Sequence, residues 1–205
     1  MNSYEKRLIL ILVFLIMSYF LFKDKTIVLT PGVKIQTAPK QKNLSTQEKF
    51  IYKGAMLTKI ASISLNAKIL SKKYYSDKDS DFAPVDLALG WGFMSDENLI
   101  HQFDISQSGR WFRWHIKDPK TFAYTIEDVV KNSANMHIIP VTNEIKNKIA
   151  QVTKGDIINL QGYLINLEKP NGGNWKSSIS RTDSGNGACE LVWVESFDII
   201  TNEYY

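Results

Sequence analysis

The chain has few of the residues that build metal centres and nucleophile sites, with one cysteine and three histidines in 205 residues. A single cysteine excludes an intramolecular disulfide and a CxxC metal site. The histidines are His101, His115 and His137, and no two of them have the spacing of metal ligands on one helix or hairpin. We therefore expect neither a metal nor a cofactor, and no complete catalytic motif is recognisable.

Charge is absent from the apolar run between Leu8 and Phe22, although basic residues flank it on both sides. Its fifteen residues would span about 22 Å as a helix, so flanking side chains would have to complete a crossing of the ~30 Å hydrocarbon core. No pair of small residues follows that would fit a signal-peptide cleavage site. We predict an uncleaved signal anchor at residues 1–23, with the lipid bilayer as its partner. A cleaved secretory signal and a buried core helix are the alternatives.

The flanking charges set the orientation of this anchor only weakly, because basic residues close to the run are nearly balanced on its two sides. A short charged N-terminus before one signal-like segment usually leads to translocation of the remainder. We therefore expect a single-pass protein whose C-terminal domain lies outside the cytoplasm.

After the apolar run, the chain has a basic part followed by a net acidic part. Residues 23–73 carry eleven lysines against two acidic residues, whereas residues 74–205 carry a net charge of −6. Lysines beside an anchor attract anionic lipid by about 1 kcal/mol each, although a solvated linker would have the same composition. The basic part has no arginine and few aromatics, which argues against a nucleic-acid partner. We divide the chain into a basic tether at residues 24–47 and one globular domain at residues 48–205.

Short runs of alternating apolar residues predict a mainly β domain. The runs occupy residues 63–75, 110–116, 136–140, 156–167, 175–182 and 190–200. Thr125 and Asp128 fit a capping box, Thr142 precedes a second short helix, and the PNGGN turn at residues 170–174 predicts a hairpin. This pattern favours a small antiparallel barrel or curled sheet with two or more short helices. An OB-like barrel is the first hypothesis.

Cys189 is the candidate nucleophile, because a thiol next to a histidine base can attack a substrate. His137 or His101 would be that base, and Asp183 is an alternative reactive group. A free cysteine is more often a small buried hydrophobe, and Cys189 directly precedes an apolar strand. The sequence leaves both interpretations open.

Four residues are candidates for ligand binding. Arg181 and Asp183 lie in a glycine-bearing loop whose amides could bind an anion, or the two residues pair and stiffen a hairpin. Trp175 and Arg113 belong to a set of interleaved aromatic and basic residues that could stack on bases or sugar rings. Most tryptophans are buried, so we expect one or two to be exposed, with Trp175 first among them.

Five segments together resemble a group of uncharacterised bacterial single-pass membrane proteins. The segments are LGWGFMSD at residues 89–96, ISQSGRWFRW at 105–114, SANMHIIP at 133–140, GDIINLQGYLINL at 155–167 and SSISRTDSGNGACELVWVE at 177–195. The likeness covers roughly residues 60–196. It implies a bacterial source and one membrane-tethered domain, and it implies no activity.

These observations predict a membrane-anchored binding or scaffolding domain of the bacterial cell envelope, held at the inner membrane and contacting an envelope protein or a glycan. A membrane-tethered hydrolase or thiol enzyme is the first alternative, and a nucleic-acid-binding OB-like domain is the second. A histidine within reach of Cys189 in an open cleft would favour the enzyme. Packing of Cys189 against Leu191 or Trp193 would favour a structural role.

Overall fold

The computed structural model describes residues 3–22, 26–180 and 188–201 of the chain. Its helices are α1 (Ser3–Phe22), α2 (Glu97–Ile100), α3 (Ile126–Lys131) and α4 (Asn143–Gln151), with a 3-10 turn at Gly92–Ser95. Its strands are β1 (Lys40–Asn43), β2 (Lys49–Tyr52), β3 (Ala55–Tyr74), β4 (Val85–Gly90), β5 (Phe103–Ser108), β6 (Trp111–Ile116), β7 (Ser133–Pro140), β8 (Ile157–Glu168), β9 (Asn174–Lys176) and β10 (Glu190–Ile199). The prediction of a mainly β fold with short helices is confirmed.

Several local predictions are also confirmed. α3 begins at a capping box in which Thr125 and Asp128 each bond the other's backbone N–H. α4 begins after Thr142, whose hydroxyl accepts from Ile145 N–H at 3.2 Å. Ile145 and Ile149 lie on the buried face of this helix. The PNGGN segment joins β8 to β9 as an antiparallel hairpin.

Eight strands form one curled sheet in the order β1-β3-β4-β7-β10-β8-β9, with β2 also paired to β3. β3 is 20 residues long, and it pairs with β8 through residues 56–68 and with β4 through residues 68–74. All of these pairs are antiparallel except β7 with β10. The hairpin of β5 and β6 is separate from the large sheet.

Of the two predicted forms, a barrel or a curled sheet, the structure has the curled sheet, and the barrel is corrected because the sheet does not close. Register shifts between residues 59 and 61 and between residues 69 and 71 interrupt the pairing of β3, and such irregularities bend and twist a strand. Among the described residues, the short strands β1, β2 and β9 keep free edges, whereas a closed barrel has none.

The predicted transmembrane anchor is wrong. α1 does form over the apolar run, and its side chains from Tyr4 to Met17 are exposed. However, no helix within residues 3–22, 26–180 and 188–201 is long and apolar enough to cross a membrane. The first turns of α1 contain Glu5, Lys6 and Arg7, which leave an apolar stretch below the ~20 residues that a crossing needs.

The segment after α1, predicted as a tether, lies against the domain. Leu29 and Ile35 are buried in the main core. Leu29 N–H donates to the Glu97 carboxylate at 3.3 Å, and Ile35 N–H donates to Ser95 Oγ at 2.9 Å. The 3-10 turn and α2 therefore hold the incoming chain by side-chain acceptors.

Alternation along the strands separates the two faces of the large sheet. Leu87 of β4 and Ile138 of β7 point into the main core, on the inner face. The outer face carries two smaller apolar groups, one around Ile139 and Leu191 and one around Ala88, beneath the β5–β6 hairpin. The space between these two groups is where polar side chains of β4 and β7 come together.

Glu97 also forms a buried ion pair with Lys68 of β3, whose side chain is 2% exposed. A buried ion pair is stable only while both partners are present. If one partner is removed, the remaining charge is buried without water or an opposite charge, which is strongly destabilising. This pair ties the N-terminal segment and α2 to the centre of the sheet.

We expect Lys68→Met to lower the free energy of unfolding by about 3–5 kcal/mol, because it leaves the Glu97 carboxylate buried without its cation. Urea unfolding followed by circular dichroism measures the change. Lys131→Met is the matched control, since the ion pair of Lys131 with Glu127 is on the surface of α3. Equal unfolding midpoints for the two variants would contradict a stabilising role for the buried pair.

Candidate functional site

Three adjacent strands bring polar side chains together on the outer face of the sheet. Asp86 of β4 lies opposite His137 of β7, and His137 lies opposite Leu191 of β10. Asn135 precedes His137 by two residues and so shares its face. Cys189 directly precedes β10 and shares the face of Leu191 in the same way. Strand register alone therefore places a carboxylate, an imidazole, an amide and a thiol side by side.

Asp86 is wholly buried, and one of its oxygens meets two cations. His137 Nδ1 lies 2.8 Å from Asp86 Oδ1, and Arg110 Nη1 donates to the same oxygen at 2.9 Å. The Nδ1–H bond of His137 does not point at the Asp86 oxygen. The contact is therefore an ion pair rather than a linear hydrogen bond. The second carboxylate oxygen, Oδ2, has no hydrogen-bond partner among the described residues. A carboxylate in this position depends on its two cations.

The pKa of His137 rises from its ordinary value of 6.5 to about 9. Burial acts to lower this pKa, but the Asp86 carboxylate and the nearby Cys189 side chain outweigh burial. The imidazole is therefore protonated at neutral pH. It presents a cation to the sulfur of Cys189.

The thiol of Cys189 lies beside Asn135 and lines the same cavity as His137. The sulfur accepts a long hydrogen bond of 3.6 Å from Asn135 Nδ2. The residue is partly buried, and its backbone carbonyl accepts from Ser178 N–H at 3.1 Å. The backbone at Cys189 is thus fixed, and its sulfur has a polar neighbour from β7.

Arg110 enters the site from the turn of the β5–β6 hairpin. The turn uses left-handed backbone, with φ of 55° at Gly109 and 68° at Arg110. The guanidinium donates to Asp86, to the carbonyl of Ala83 at 2.7 Å and to both oxygens of Asp77 at 2.7 and 2.8 Å. This two-pronged contact holds the pKa of Asp77 down at about 2. Arg110 therefore joins the hairpin to the turn after β3 and to β4.

The same hairpin orients Asn135. Gln107 of β5 donates to Asn135 Oδ1 at 2.7 Å, and Asn135 Nδ2 also donates to the carbonyl of Arg110 at 3.2 Å. Gln107 and Asn135 are both buried. Because the amide oxygen is taken by Gln107, the amide nitrogen is the atom directed at the sulfur.

A cavity of about 540 Å³ opens beside the thiol. The lining residues are Lys78, Asp79, Arg110, Trp111, His137, Lys169, Gly173, Asn174, Trp175, Lys176 and Cys189. The ring centroid of Trp175 lies 4.8 Å from that of His137, and Trp111 is 40% exposed. A space of this size accommodates a small organic molecule between aromatic walls.

The arrangement has the parts of a thiol nucleophile site. A protonated histidine beside a cysteine stabilises an anionic sulfur, which is the nucleophilic form of the side chain. The buried carboxylate keeps the imidazole charged. Within residues 3–22, 26–180 and 188–201, no three His, Cys, Asp or Glu residues are placed to hold a metal ion.

The structure brings together some of the residues singled out in the sequence. Cys189, His137 and Trp175 line the same cavity. His101 ends α2 and is exposed, with its Nε2 3.7 Å from a Glu97 oxygen, so it is not the partner of the thiol.

Other predicted ligand-binding residues do not join the site. Arg113 of β6 donates to the carbonyl and hydroxyl of Ser108 at 3.1 and 2.8 Å, on the solvent side of the hairpin, and does not line the cavity. Arg181 and Asp183 lie outside the described residues.

Sequence reasoning missed Asp86, Arg110 and Asn135. Asp86 is the only charged residue in the apolar segment PVDLALGWGFM, and a charge inside a buried strand requires a partner. Asn135 and His137 stand two residues apart in a strand, which puts both on one face. Those signals were present, but neither identifies the partner strand.

No family model, no curated protein and no solved structure matches this chain. The resemblance to bacterial membrane proteins therefore stays a prediction. The function has to be argued from the side chains of this site.

The raised pKa of His137 predicts a pH-dependent stability. The imidazolium contributes fully below its ordinary pKa of 6.5, and the contribution is lost as the pH rises through about 9. We expect the free energy of unfolding to fall across this interval and His137→Gln to reduce the slope. Urea unfolding at several pH values measures it. His101→Gln is the control and should keep the wild-type slope; a slope unaffected by His137→Gln would contradict the buried cation.

Proposed function

We propose that the protein is a thiol-dependent enzyme that transfers or hydrolyses acyl groups, with Cys189 as nucleophile. The observation that carries this proposal is that Cys189 and His137 line one cavity of about 540 Å³, with His137 ion-paired to the buried Asp86 carboxylate. A structural cysteine needs neither a charged partner nor access to a cavity. A binding pocket needs no buried carboxylate behind its histidine.

The proposed reaction begins with attack of the Cys189 sulfur on a substrate carbonyl carbon. A C–S bond forms, and the bond to the leaving group breaks while His137 donates its proton to that group. Water then attacks the thioester, neutral His137 accepts one proton from this water, and the C–S bond breaks to release the carboxylic acid and the anionic sulfur of Cys189. Hydrolysis thus regenerates both residues, and another nucleophile in place of water would give acyl transfer.

Asp86 and Asn135 act through the two reacting side chains, His137 and Cys189. Asp86 keeps His137 protonated until the leaving group needs the proton. Asn135 Nδ2 is the side-chain amide donor beside the sulfur, and it is held there by Gln107. Both are positioning residues, because the structure gives them contacts with the thiol and imidazole rather than with the cavity.

The curled sheet that carries these residues is proposed to be OB-like. Three features support this: the order β3-β4-β7-β10-β8 with β8 returning to β3, the parallel pairing of β7 with β10, and the position of α4 between β7 and β8. OB folds are partly open barrels, which agrees with the free edges of this sheet. The binding or scaffolding role expected from the sequence stays the rival prediction.

Alkylation by iodoacetamide tests the proposed nucleophile, and the single cysteine makes the labelled position unambiguous. At about pH 6 a free thiol is almost entirely protonated and reacts slowly. We expect Cys189 in the folded protein to react at least about tenfold faster than N-acetylcysteine there, because the imidazolium stabilises the anionic sulfur. Intact-protein mass spectrometry follows the rate.

His137→Gln and Asp86→Asn should remove most of this advantage, whereas His101→Gln, the matched histidine outside the cavity, should keep it. Circular dichroism of each variant checks that it is folded. A wild-type rate no faster than that of the free thiol would refute the thiol enzyme and favour the binding module. An equal loss in the His101 variant would show that the effect is not specific to this site.

A further inference from the structure

We propose that the substrate of this site carries an anionic group, which Lys78 and Lys176 hold at the mouth of the cavity. The inference rests on the proposed function, since it names the class of acyl compound that the Cys189 site would accept. It is carried by the distribution of charge around the cavity lining.

Most charged side chains at the cavity already have partners. Lys169 forms an ion pair with Asp79, and Arg110 is paired with Asp77 and Asp86. These contacts cancel locally, so they contribute little net charge to the cavity.

Two lysines remain after this cancellation. Among the described residues, no carboxylate lies within ion-pair distance of the ammonium groups of Lys78 or Lys176, and both residues line the cavity. Side chains that carry charge of one sign beside low-dielectric walls raise the local concentration of ligands of the opposite charge. The cavity therefore favours an anion and disfavours a cation.

The backbone of each lysine is fixed by its neighbours. Lys78 stands between Asp77 and Asp79, which are tied to Arg110 and Lys169 on either side. An ammonium group on a fixed backbone loses less entropy when it binds an anion than one on a free loop.

The backbone of Lys176 is fixed by strand β9. Lys176 follows Trp175 and pairs in register with Asn166 of β8. The aromatic rings of Trp111 and Trp175 supply apolar walls of the same cavity. The described lining thus fits an acyl compound with an apolar part and one anionic group.

The test compares two alkylating reagents of similar size, anionic iodoacetate and neutral iodoacetamide. Both react with the same sulfur, so the ratio of their rates cancels the fraction of thiol that is ionised. We expect this ratio to be about five- to tenfold higher for the folded protein than for N-acetylcysteine at low salt, and to fall as salt screens the lysines.

Lys78→Gln with Lys176→Gln should return the ratio to the free-thiol value while the iodoacetamide rate changes by less than about twofold. Lys120→Gln with Lys146→Gln is the control, because it removes the same total charge from two exposed lysines outside the cavity. A wild-type ratio equal to that of the free thiol, or an equal fall in the control, would overturn the anionic substrate. A slow iodoacetamide reaction would instead overturn the thiol enzyme, so the two failures are distinguishable.

Discussion

The buried carboxylate of Asp86 is the constraint on which the rest of the site depends. An ionised carboxylate without solvent is strongly destabilising unless cations reach it, and here two do so from different parts of the chain. His137 comes from the neighbouring strand and Arg110 from the β5–β6 hairpin. The need to neutralise one charge therefore fixes both the protonation of the imidazole and the position of a hairpin that lies outside the large sheet.

The β5–β6 hairpin links stability to chemistry because two of its residues, Arg110 and Gln107, both bond side chains of the Cys189 site. Arg110 neutralises Asp86, and Gln107, on the preceding strand, sets the orientation of the Asn135 amide beside the sulfur. A shift of the hairpin would disturb the carboxylate, the imidazolium and the amide together. Residues that act through such a shared network have effects that do not add, so double-variant measurements are needed to separate them.

The sequence predicts local structure here much better than it predicts the site. The capping box at Thr125, the helix after Thr142 and the PNGGN hairpin each depend on residues a few positions apart, so their signals are complete within the sequence. The partnership of Asp86 with His137 joins positions about 50 residues apart through strand pairing. Strand partners are decided by the whole sheet, because hydrophobic alternation gives a strand its faces but not its neighbours. The anchor was misjudged for another reason, since an apolar run of intermediate length does not by itself decide its environment.

A comparison of the two buried ion pairs shows why one is proposed as functional and the other as structural. In the Lys68–Glu97 pair, Glu97 also accepts a hydrogen bond from Leu29 N–H, so this pair holds the incoming chain. The His137–Asp86 pair instead has a thiol on its far side and a cavity in front of it. Burial of charge is costly in both places, and only in the second does the resulting cation face a nucleophile. That difference in what lies beyond the pair, rather than burial itself, is the argument for chemistry at Cys189.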